Sequence, residues 1–162
     1  LPKIIVFSGS FHGRTLATLS ASVNPKIQKG FEPLVSGFVQ LPFNDLAAAQ
    51  ALRDDPDIVA VLVEPVQGEG GVNLASREFL TGLRELCTAQ GWLMMLDEIQ
   101  TGMGRTGAWF AHQHFGWLPD VMTLAKGLGN GFPIGAILAK HDYAQLFGPG
   151  RHGSTFSGGH LA

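Results

Sequence analysis

Short apolar strands separated by helical segments predict an α/β protein, with a mainly parallel sheet flanked by helices. Three neighbouring stretches carry this expectation. Ile58 to Val63 is an unbroken run of six apolar residues, mostly β-branched, which suits a strand buried on both faces. Arg77 to Gln90 then repeats Phe79, Leu80, Leu83, Leu86 and Cys87 at helical spacing on one face. Gly91 closes that segment, and Leu93-Met94-Met95-Leu96 follows as a second buried strand. Strand, helix and strand in succession imply a right-handed crossover between parallel neighbours.

The remaining elements are placed in chain order. Lys3 to Phe7, rich in β-branched and aromatic residues, is a first strand that opens into Ser8 to Thr15. Leu16 to Ser22 forms a short helix ending before Asn24-Pro25. Phe31 to Pro42 is irregular, with a strand at Gly37 to Leu41. Asn44 or Asp45 caps an alanine-rich helix through Arg53, and Ser76 caps the helix that starts at Arg77. Glu64 to Gly71 reads as a loop, as does Thr101 to Gly107, and Trp109 to Phe115 as a short helix. Val121 to Ala125 is a strand ending at Lys126, followed by a loop, a strand from Ile134 to Leu138 and a helix near Tyr143 to Phe147.

Composition narrows the function classes. A chain of 162 residues suffices for one domain with a core. Only 15% of residues are charged and 22 are glycine, so part of the surface is expected to face other protein. A net charge of −2 without a basic run argues against nucleic acid or an anionic membrane as partner. The single Cys87 forms no internal disulfide, no run approaches a membrane span, and the default location is the cytoplasm. His112 and His114 without a third ligand are weak as a metal site, and no metal is expected. The ends of the chain read as those of a piece of a longer polypeptide.

Asp97 and Lys126 each terminate a buried strand. Ligand chemistry in open α/β sheets gathers at the carboxyl ends of the strands, where these two residues can converge on one pocket. A partly desolvated lysine beside Gly127 and Gly129 loses its proton more readily and attacks carbonyls to form Schiff bases. A carboxylate can keep a heterocyclic nitrogen protonated. Those are the two protein groups that pyridoxal phosphate requires. Taken singly, each is more often a solvated lysine or an N-capping aspartate.

Five segments, in order, resemble the motifs of class III (ornithine-type) pyridoxal-phosphate aminotransferases: Phe11-His12-Gly13-Arg14-Thr15, Glu64 to Gly71, Asp97 to Gly107, Lys126 to Ile134, and His152 to Phe156. The likeness is greatest to acetylornithine and succinylornithine aminotransferases and runs over nearly the whole chain. It implies that residues 1–162 belong to the cofactor-binding large domain of a fold-type I transferase, without the family's upstream phosphate-binding segment and downstream small domain. By the same resemblance Lys126 carries the cofactor as a Schiff base and moves the substrate proton, while Asp97 pairs with the ring nitrogen. Glu98 falls in the same cofactor-binding motif, Gln100 would bond the phenolic oxygen, and Phe11 and Ile99 would clamp the ring faces. Thr155 would reach the phosphate from the neighbouring subunit, with Ser154 near substrate. Arg14 would grip a substrate carboxylate, Glu69 would answer an arginine beyond this chain, and Glu64 would support the pocket. The implied reaction moves nitrogen from acetylornithine, succinylornithine or ornithine to 2-oxoglutarate in a homodimer, as in arginine biosynthesis, with the isolated segment expected to be inactive. Ser157-Gly158-Gly159-His160 departs from the family's more usual Gly-Gly-Asn-Pro.

Two other enzymatic readings and one non-catalytic reading compete. An aminomutase of the same fold, of the glutamate-1-semialdehyde type, would need no acceptor acid. A P-loop nucleotide hydrolase would use Gly9 to Thr15, which is one residue short and has Arg14 where lysine belongs. A binding module that had inherited the fold would not need Lys126 and Asp97.

Overall fold

The computed structural model describes residues 1–154 and 159–160. A six-stranded sheet forms the centre, in the order β2-β1-β3-β6-β7-β8. Its strands are β1 (Lys3–Phe7), β2 (Phe38–Leu41), β3 (Ile58–Val63), β6 (Leu93–Asp97), β7 (Val121–Leu124) and β8 (Ala136–Ala139). The helices are α1 (Leu16–Ala21), α2 (Pro25–Gln28), α3 (Leu46–Gln50), α4 (Arg77–Gln90) and α5 (His141–Ala144). A two-residue hairpin, β4 (Val66–Gln67) with β5 (Asn73–Leu74), lies apart from the main sheet.

Helix α4 forms where its signals place it. Ser76 Oγ accepts the Phe79 N–H at 3.1 Å, and Gly91 ends the helix in the left-handed region at φ 70°. Phe79, Leu80, Leu83 and Cys87 are all buried, packing with Phe7, Val61, Val63, Met94 and Leu96 into one core. The Phe7 and Phe79 rings meet edge-on at 5.1 Å, a geometry that adds to their area burial. Strands β1, β3, β6 and β7 run parallel, with Ile5 opposite Val61, Val63 opposite Leu96 and Asp97 opposite Thr123. Their carboxyl ends therefore lie side by side at one edge.

Several elements differ from expectation. Strand β8 begins at Ala136 rather than Ile134 and runs antiparallel to β7. The link between them holds a single 3-10 turn, Lys126–Gly129, and is too short for a crossover, so the chain can only return alongside. The Trp109 to Phe115 helix is a 3-10 turn at Ala111–His114, and α3 stops at Gln50 instead of Arg53. Pro25 starts the unforeseen α2, its missing N–H being harmless at a first helical position. The loop after β3 contains the small hairpin.

Asp120 ties the sheet to α4. Its carboxylate, 6% exposed, meets Arg84 and Lys140 at 2.7 Å each and accepts the Met94 N–H at 2.8 Å. Burial alone would raise its pKa, but the bonds from Lys140, Met94 and Arg84 outweigh it and hold the carboxyl below the usual aspartate value. A depressed folded pKa gives stability that is present above the unfolded value, about 3.8, and is lost as pH falls below it. Asp120→Asn is expected to cost about 2 kcal/mol at neutral pH, the scale of a hydrogen bond to a charged group. Urea unfolding should show this gap to wild type closing in acid.

Among the described residues no helix is long and apolar enough to cross a membrane. None of their His, Cys, Asp and Glu side chains form a group of three or more placed for a metal ion. His112 Nδ1 sits 3.1 Å from the Trp117 carbonyl and His114 Nε2 2.9 Å from the Thr106 carbonyl.

Candidate active site

Each of the four adjacent parallel strands delivers a titratable side chain just beyond its carboxyl end. In sheet order these are His12 after β1, Glu64 after β3, Asp97 at the end of β6 and Lys126 after β7. Asp97 is 6% exposed. Its Oδ2 lies 2.8 Å from His12 Nδ1, and its Oδ1 accepts the Ile99 N–H at 3.1 Å. Two donors thus hold this buried carboxylate in place.

His12 went unassigned in the sequence, because its partner is 85 residues away and nothing local announces the contact. Its backbone N–H is anchored on Ser22 Oγ at 2.8 Å, which fixes the ring's approach to Asp97. His12 Nε2 is buried and has no hydrogen-bond partner among the described residues. A proton on Nδ1 satisfies Asp97, whereas a second proton on Nε2 would be an unmet buried donor. The ring therefore donates to Asp97 through Nδ1.

A hollow of about 670 Å³ opens beside this pair, lined by His12, Asp97, Ile99, Leu124, Ala125 and Ala136, among others. Lys126 lines an adjoining polar hollow of about 590 Å³ with Arg105, Asn130 and glycines. Ala125 on one hollow and Lys126 on the other are consecutive, so the lysine stands at their junction. Lys126 is exposed and has φ 45°, a left-handed conformation that costs a non-glycine residue and clusters at functional sites.

Glu64 is 5% exposed, and its Oε2 accepts the Phe11 N–H at 3.1 Å. Burial pushes its pKa up to about 7, with Asp97 adding to the rise, while the Phe11 bond and the charges of His12 and Lys126 oppose it. Lys126 and Asp97 thus both act on the same carboxyl.

The other expected residues scatter around this centre. Ile99 is half-buried on the first hollow. Phe11 is half-buried, with the Arg14 guanidinium 5.6 Å from its ring centroid, so the exposed Arg14 stacks on the ring. The Gln100 amide fills the space where a side chain at Gly68 would start, which is why that position holds glycine. Glu98, expected among the cofactor contacts, follows Asp97 at the end of β6. Its carboxylate accepts the N–H groups of Ala111 at 2.7 Å and His112 at 2.9 Å and the Thr101 hydroxyl at 2.8 Å, pinning the following loop. Glu69 is exposed on the hairpin turn. Ser154 is exposed two residues after His152, which lines the first hollow, and Thr155 lies outside the described residues.

The residues present fit pyridoxal phosphate by their chemistry. A carboxylate held by two donors suits a protonated ring nitrogen, an apolar wall of Ile99, Leu124 and Ala136 suits a ring face, and the residue after Ala125 on that hollow carries a primary amine.

Comparison with known proteins agrees with this chemistry. The aminotransferase class-III family model matches residues 2–162. Acetylornithine aminotransferase from Nitrosomonas europaea is 57% identical over 163 residues, covering 100% of this chain and 42% of that protein. Acetylornithine aminotransferase from Bacillus subtilis is 54% identical, covering 99% of this chain and 42% of its own length. The chain thus spans about two fifths of these relatives. A solved structure of the ornithine aminotransferase from Toxoplasma gondii, described as having partial occupancy of PLP at its active site, superposes with a TM-score of 0.91 at 38% identity. It covers 96% of this chain and 37% of that one.

Proposed function

Because the chain belongs to the class-III aminotransferase family, we propose that it is the cofactor-binding large-domain part of a pyridoxal-phosphate enzyme that transfers the amino group of acetylornithine to 2-oxoglutarate. Succinylornithine and ornithine are the neighbouring donors, and the working form is a cytoplasmic homodimer. The observation that carries the reading is Asp97, a buried carboxylate held by His12 and Ile99 at the strand end next to Lys126.

The chemistry supplied by bound pyridoxal phosphate is an electron sink for the pair left on the substrate carbon. Lys126 would hold the cofactor through its Nζ and would carry a proton to and from the reacting carbon. Asp97 would hold the proton on the ring nitrogen, and His12 holds the Asp97 carboxylate in place. Ile99 and Phe11 offer apolar faces that exclude water from the ring. Gln100, behind Gly68, supplies an amide to a ring oxygen. Arg14, Glu69, Ser154 and Thr155 serve substrate and phosphate, Arg14 as a planar fork for a carboxylate.

The test is a donor panel on full-length protein with pyridoxal phosphate. Glutamate should form from 2-oxoglutarate, most rapidly with acetylornithine. No glutamate with any of the three donors, or amino migration that proceeds without 2-oxoglutarate, would overturn the reading.

A further inference from the structure

We propose that Glu64 is a positioning residue that holds a proton as a neutral carboxylic acid, leaving Asp97 as the anion of this side-by-side pair. The register places the two acids side by side. Val63 pairs with Leu96, so Glu64 and Asp97 leave adjacent parallel strands at the same level, where strands lie about 4.8 Å apart. Both are buried, and two buried like charges on neighbouring strand ends do not ionise together without a large cost.

The surroundings decide which acid keeps the proton. Asp97 has two donors, His12 Nδ1 and the Ile99 N–H, whereas Glu64 has one, the Phe11 N–H. The charged and titratable groups acting on Glu64 are His12 from the loop after β1, Asp97 from β6 and Lys126 from the turn after β7. His12 and Lys126 oppose the effects of burial and Asp97, and burial is the largest of these influences. The rise of the Glu64 pKa to about 7 agrees with the geometric argument.

The consequence for chemistry rests on the function proposed above. A second anion beside Asp97 would add negative charge at the site, and nearby negative charge favours the ammonium form of a lysine, which is no nucleophile. A neutral Glu64 accepts the Phe11 N–H, and so fixes the segment that carries Phe11 and His12, without adding that charge.

The experiment compares wild-type full-length protein with Glu64→Gln, both free of cofactor, by thermal unfolding across pH. A folded pKa above the unfolded one gives stability that is present in acid and is lost as pH rises through the folded value. The wild-type advantage in unfolding midpoint should therefore shrink between about pH 4.5 and about pH 7 and stay constant above. A difference that is flat or grows with pH would overturn the proposal. Should Glu64→Gln fail to fold, carbon-13 labelling of the glutamate carboxyls in wild type puts the same question. One resonance titrating near 7 supports it, and all titrating near 4.5 overturns it. Neither readout depends on amino transfer, so a protein that forms no glutamate yet shows this titration would sink the function and leave the proton assignment standing.

Discussion

Replacing Lys126 with alanine in the full-length protein is expected to lower kcat for amino transfer by about 10⁴-fold, the upper end of what one positioned proton-transfer group contributes. The variant should also retain no cofactor after borohydride treatment and denaturation. The expectation follows from where the amine stands. Strand β7 is buried as far as Leu124, and the backbone turns sharply at Lys126 with φ 45°, so the side chain leaves the sheet edge where Glu64 feels its charge together with that of Asp97. Alanine keeps the β-carbon and adds no new backbone strain, and the lysine is exposed. The unfolding free energy should therefore change by no more than about 0.5 kcal/mol, as for ordinary surface substitutions. Lys126→Arg should be equally inactive, since a guanidinium does not give up its proton. Turnover in Lys126→Ala within tenfold of wild type would remove this residue from the mechanism.

Replacing Asp97 with asparagine should lower kcat by about 10² to 10³-fold, the range seen when one preorganised electrostatic contact is lost. Asparagine is isosteric, and its carbonyl oxygen can still accept from His12 Nδ1 or from the Ile99 N–H. Folding should survive while the negative charge is gone. Asp97→Ala separates the two roles. It leaves the buried Nδ1–H of His12 without an acceptor, and the unfolding free energy should drop by about 1 to 3 kcal/mol in addition to the kinetic loss. Steady-state kinetics of both variants beside their urea midpoints check this pairing of effects. Equal kinetics for Asp97→Asn and wild type would show that the charge is not used.

The parts of the molecule legible in the sequence are those governed by local pattern. The apolar run Ile58 to Val63, the helical spacing of Phe79, Leu80, Leu83 and Cys87, and the stop at Asp97 each reflect burial of neighbouring residues, which periodicity reports directly. The family motifs then singled out Lys126 among the lysines and Asp97 among the acids, which spacing alone could not do. What remained hidden depends on distant partners. The His12 to Asp97 contact joins the loop after β1 to the end of β6, and the Phe11 to Glu64 bond crosses 53 residues. Glu98 sits in the motif next to Asp97, yet alternation at a strand end turns it to the other side, where three donors of the next loop take its oxygens. The direction of β8 was missed for a related reason. An apolar run specifies a strand but not its sense, and the brevity of the link from Leu124 to Ala136 decides that.

The Lys126 amine and the Asp97 carboxylate are expected to serve a single cofactor ring. A crystal structure of the full-length protein with pyridoxal phosphate tests it most directly. The predicted result is a covalent bond from Lys126 Nζ to the cofactor, with the ring nitrogen at hydrogen-bond distance from Asp97 and His12 still on the far oxygen. A cofactor joined to another lysine, or a ring nitrogen facing a residue other than Asp97, would contradict it.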